Sequence, residues 1–148
     1  MSFAAEVAKH FDFLVRDYGF ERVDHPDWKV GEYVSYRKDP LELGIGWYKG
    51  EVDLGFNIAL DFAASHSVFR PHLSRTFGLY EIATCQNPAA YAELSVRMRP
   101  LGFVTDVSIA AAYLEESAKI LQRFATPILN GDFKLLEQIT LARQDRKP

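Results

Sequence analysis

The chain has 148 residues, the length of a single domain, and a formal net charge of −3, which excludes the concentrated basic field that nucleic-acid binding requires. Hydrophobic residues make up 48% of it, which excludes disorder, because disorder needs low hydrophobicity together with high net charge. The acidic excess lies in residues 1–60, with 7 basic and 11 acidic side chains, against 10 and 9 in residues 61–148.

Ser2 is a candidate N-cap, and Glu6 favours the positive end of the helix that follows. Phe3, Val7, Phe11, Leu14 and Tyr18 recur at helical spacing, which predicts a helix over 3–18 closed by Gly19. β-forming stretches come next. Phe20–Val23 is a short candidate strand, and Tyr33–Tyr36 is a second, broken by Lys38-Asp39-Pro40. Leu41, Leu43, Ile45 and Trp47 alternate with Glu42, Gly44, Gly46 and Tyr48. After Lys49-Gly50, Val52, Leu54, Phe56, Ile58 and Leu60 alternate with Asp53, Gly55, Asn57 and Ala59. Such period-two alternation marks antiparallel strands with one buried face. The prediction is a meander of three or four strands over residues 20–61.

The second half changes character. Residues 62–75 read as a loop, and Phe77–Thr84 as a short helix weakened by Gly78. Asn87-Pro88 is a helix start, with Met98 the last apolar position before Pro100. Thr105 or Asp106 can cap a helix running to about Phe124, Pro127 interrupts, and Asn130-Gly131-Asp132 leads into a last helix. The tail 143–148 is polar and expected to fray. Helix, then strands, then helices implies an α+β fold: one domain over 1–148, with three or four C-terminal helices packed on the sheet.

Chemical motifs are few. There is no HExxH, no Cys-x-x-Cys, no G-x-G-x-x-G and no G-x-x-x-x-G-K-[ST], so neither a metal nor a nucleotide cofactor is expected. Ser65-His66-Ser67 lacks the G-x-S-x-G elbow of a hydrolase. His10 lies between apolar positions of the first helix and reads as a boundary residue. Cys85 is the single cysteine and cannot form an intrachain disulfide; it reads as a packed, inert thiol. No residue is assigned a catalytic role. No apolar run approaches the ~20 residues of a membrane span. The N-terminal segment lacks the basic start and apolar stretch of a signal peptide, so the expected location is the cytoplasm and no membrane partner is expected.

Two surfaces merit attention. Gly44, Gly46 and Gly55 lie on the hairpin face opposite the apolar one, and glycine in a strand marks a bend or a close backbone approach. Trp28, Tyr33, Tyr48, Asp53 and Asn57 are the candidate partner-binding residues there, because aromatics dominate interface hot spots and acidic groups tune partner choice. The alternative is a small-molecule or catalytic pocket between the sheet and the C-terminal helices, using His66, Arg70, His72 and Arg75. Arg97 and Arg99 add to the basic density of that region.

The stretches FLVRDYGF, YVSYRKDPLELGIGWYKGEVDLGFNI and LQRFATPILNGDF follow one another in a helix, meander, helix order. In this layout the chain resembles small bacterial α+β proteins, some of which are similar to immunity proteins that neutralise toxins delivered between cells. The resemblance implies a non-enzymatic protein that binds another protein. It carries no functional residue. A self-complementary sheet face, giving a homo-oligomer, is a further expectation.

Overall fold

The first helix starts where its capping chemistry places it. Ser2 is extended, and its hydroxyl oxygen accepts a hydrogen bond from the Ala5 amide at 3.1 Å. In the computed structural model, which describes residues 2–26, 28, 31–72, 74–89, 92 and 107–145, α1 spans Phe3–Phe11 and α2 spans Phe13–Tyr18. The single helix expected over 3–18 is thus divided at Asp12, whose carboxylate accepts a hydrogen bond from the Tyr36 hydroxyl at 2.9 Å. Gly19 closes α2 at φ 75°, a backbone that costs glycine little, and the Phe20 amide returns to the Leu14 carbonyl.

Five strands follow in the order β1-β2-β3-β4-β5, every neighbour antiparallel. They are β1 Glu21–Asp24, β2 Glu32–Lys38, β3 Leu41–Tyr48, β4 Glu51–Ile58 and β5 Thr76–Gly78. Lys49 and Gly50 join β3 to β4 with φ of 50° and 82°, the doubly positive pair of a two-residue hairpin turn that matches strand twist. The β2–β3 turn contains a cis Asp39-Pro40 peptide.

The meander therefore has one strand more than the sequence predicts. β5 is three residues long, too short to show alternation, and it pairs Thr76, Phe77 and Gly78 with Asn57, Phe56 and Gly55. β4 ends at Ile58, and Leu60 is half exposed at the start of helix α3, Leu60–Ser65, rather than an inward strand residue. The predicted loop 62–75 thus holds the rest of α3 and a single 3-10 turn at Arg70–His72.

Helix α4, Leu79–Gln86, leaves β5 directly, two residues later than the helix expected from Phe77. The helix expected from Asn87-Pro88 to Met98, its arginines Arg97 and Arg99, and the cap at Thr105 or Asp106 lie outside the described residues, apart from a few positions at its start. The long helix α5, Val107–Phe124, ends where the sequence places it; α6, Thr126–Leu129, follows with Pro127 in its first turn; and α7 spans Lys134–Asp145. The tail expected to fray from residue 143 is helical to Asp145. Arg143 holds it, pairing with Glu81 of α4 and donating to the Thr76 carbonyl at 2.8 Å.

The core lies between sheet and helices. Phe3, Val7, Phe11 and Leu14 of the first two helices are fully buried with Tyr36, Leu43, Ile45, Phe56 and Phe77 of the sheet in one cluster. Each such side chain contributes about 1.5–3 kcal/mol on burial. Helices as short as α1 are marginal alone in water, so this apolar stripe rather than propensity holds them. Among the described residues no helix is long and apolar enough to cross a membrane.

Candidate functional site

Strand parity divides the sheet into two unlike faces. Val34, Ile45 and Leu54 share one pairing row and point into the core; the adjacent row, Val23, Ser35, Gly44, Gly55 and Gly78, lies on the outer face. Three of those five positions carry no side chain. The outer face is consequently floored by backbone at its middle, and neighbouring side chains lie down over it.

Tyr33 is the first of these. A Cβ built on Gly46 would stand 3.4 Å from its ring, and one on Gly44 would stand 3.0 Å from Cζ and overlap the hydroxyl. The ring therefore packs against Gly44 and Gly46, and its hydroxyl donates to Glu42 Oε1 at 3.2 Å. Burial, then the charge and hydrogen bond of Glu42, with a smaller contribution from Asp53, push the Tyr33 phenol from 10.0 up to about 12. Trp28 stacks on Tyr33, with centroids 4.7 Å apart and planes 23° apart. His25 packs against both rings and shares a 2.9 Å hydrogen bond with the buried Ser35 hydroxyl. Glu42 also holds the exposed Arg37 guanidinium at 2.7 Å.

Beside this ladder runs an open groove of about 370 Å³. Gly44, Gly46, Gly55 and Gly78 form its floor, Trp28, Tyr33 and Tyr48 its aromatic side, and Asn57 and Thr76, joined by a 3.0 Å hydrogen bond, its polar end. Its described lining comes entirely from the strands and the segment before β2. The ionisable groups that line it, besides the Tyr33 and Tyr48 phenols, are the carboxylates of Glu32, Glu51 and Asp53. A second hollow of about 280 Å³ lies beyond Trp28, lined by His25, Pro26 and Gly31 among others, and Trp28, Glu32 and Tyr33 line both. Trp28 and Tyr48 are 50% and 46% exposed, a large apolar area to leave in water.

All five candidate partner-binding residues, Trp28, Tyr33, Tyr48, Asp53 and Asn57, line this one groove. Of the alternative set, His66, Arg70 and Arg75 line neither described cavity. His66 Nδ1 accepts from the Val68 amide at 3.1 Å while Nε2 faces Glu137 at 3.0 Å, so the imidazole ties α3 to α7. Arg75 donates to the Ile58 carbonyl at 3.0 Å, Arg70 is exposed, and His72 ends the 3-10 turn. No group of three metal-ligating side chains occurs among the described residues. Cys85 is exposed in the last turn of α4 rather than packed inside. Partial desolvation against the helix and then the nearby Glu81 push its thiol up, away from the thiolate that nucleophilic chemistry needs.

His25, Glu32, Glu51, Thr76 and Gly78 belong to the site although the sequence does not single them out. A signal exists for His25: it stands two residues beyond Val23, the outward residue opposite Ser35, which places it opposite Tyr33 on the same face. Thr76 and Gly78 depend on β5. No protein-family model matches the chain, and no curated protein or solved structure is detectably similar to it.

Proposed function

We propose that this protein acts by binding a partner protein against the outer face of its sheet, without chemistry of its own. The observation that carries the reading is the pairing of two half-exposed aromatics, Trp28 and Tyr48, with a preformed, glycine-floored groove. Large aromatics exposed beside a concave surface gain most when a partner covers them, and they are the side chains that dominate interface hot spots. An immunity-like role, stoichiometric occupation of one protein's surface in the cytoplasm, is the specific form that the layout suggests. The test is capture of the partner from native lysate by wild type, Tyr48→Ala and Asp53→Ala chains. Loss of the complex in the variants, with folding intact, supports the reading; capture undiminished by either variant moves the surface elsewhere.

The groove's volume favours a second reading, a small-molecule ligand, since ligand clefts run from about 300 to 1,000 Å³. A chain that captures no protein but shows a ligand-dependent rise in melting temperature would establish it instead.

A further inference from the structure

The groove has a sign as well as a shape. Glu32, Glu51 and Asp53 make no ion pair among the described residues, and no described cationic side chain lines the groove. Its aromatic side carries the negative ring faces that attract cations. The chain already shows both interactions on this face. The Lys49 ammonium sits 5.2 Å from the centre of the Tyr48 ring, and the Arg37 guanidinium is held by Glu42, the same carboxylate that receives the Tyr33 hydroxyl.

Resting on the partner-binding reading, we propose that the groove receives an arginine side chain presented by a basic segment of the partner protein. Charge complementarity selects a cation, and geometry selects the guanidinium over the ammonium. The floor is backbone with no side chain over it at Gly55 and Gly78, and the side is a stacked aromatic pair, which together accept a planar group. A guanidinium stacks on aromatic faces and offers a fork of donors to carboxylates, whereas an ammonium is a compact, strongly hydrated point charge. Trp28 provides the stacking surface, and Glu51 and Asp53 the acceptors. Tyr33, stacked on Trp28 and packed against Gly44 and Gly46, holds the platform in place.

The experiment titrates the isotopically labelled protein with N-acetyl-argininamide and, separately, with N-acetyl-citrullinamide, its neutral near-isostere, following amide and indole resonances. The arginine probe should shift the Gly46 and Gly55 amides and the Trp28 indole saturably. The citrulline probe should bind at least tenfold more weakly, and Glu51→Gln with Asp53→Asn should weaken the arginine probe at least tenfold. Both carboxylates are exposed, so the double variant retains the fold. Equal binding of the two probes, shifts confined to another surface, or no shift in either titration would overturn the inference. The partner-binding reading is separable: a complex lost in Tyr48→Ala but kept in the double variant would sink the cation proposal alone.

Discussion

The Tyr33 ring covers Gly44 so closely that a Cβ there would come within 3.0 Å of Cζ and overlap the phenol oxygen. The pair explains why glycine occupies the middle of a central strand, where it forgoes packing and chain stiffness. Gly44→Ala should push Tyr33 off the floor and break its hydrogen bond to Glu42. A cost of about 1 kcal/mol is expected, the low end of overpacking, because the group that gives way is the outer end of the Tyr33 side chain. Gly78→Ala is the control, since nothing lies within 4 Å of its added Cβ and its φ of −75° suits any residue. Urea unfolding of both variants checks the contrast.

The raised phenol of Tyr33 makes stability depend on alkaline pH. Its folded value of about 12 stands above the ordinary 10.0, so the neutral phenol is the form that the fold favours. That contribution is complete below pH 10 and is lost as pH rises through about 12. Burial and the Asp12 hydrogen bond push Tyr36 up as well, in the same direction. Unfolding free energy should therefore fall above pH 10, and Tyr33→Phe should flatten part of that fall. Denaturation curves recorded at successive pH values measure it.

Tyr36→Phe removes the hydroxyl that reaches Asp12 from the sheet. Hydrogen bonds to charged groups are worth about 1.5–3 kcal/mol, and the low end applies because the Asp12 side chain is 42% exposed and regains water. Amide exchange should then quicken in α1 and α2 before it does in β3 and β4.

Arg143→Gln removes the Glu81 pair and the contact of the guanidinium with the Phe77 ring, 4.8 Å from its centre. Both partners are about one-third exposed, so the expected loss is about 1 kcal/mol. The readout is faster amide exchange in α7, with the groove unaffected apart from Thr76, whose carbonyl loses a donor.

Much of this architecture is legible in the sequence because period and punctuation agree. Ser2 and Gly19 bound the first helical segment, and the alternation through β3 and β4 sorts inward from outward side chains. That parity is what brings Tyr33, Tyr48, Asp53 and Asn57 to one face. No sequence signal marks the division at Asp12, which is slight: its backbone stays right-handed, its amide donates to Ala8 and its carbonyl accepts from Arg16. β5 is hidden because three residues carry no period, and their strand character comes from pairing with β4. The alternative set of His66, Arg70, His72 and Arg75 rests on closeness in sequence alone. In space, His66 and Arg75 are occupied by Glu137 and the Ile58 carbonyl.

The most direct test of the partner surface is site-specific photocrosslinking in native lysate. A photoreactive benzoylphenylalanine replaces Tyr48, 46% exposed at the groove, or Leu141, 48% exposed on α7. One discrete protein adduct from position 48 and none from position 141 is the predicted result. An adduct from position 141 alone, or no protein adduct from position 48, would contradict the assignment of the outer sheet face as the partner-binding surface.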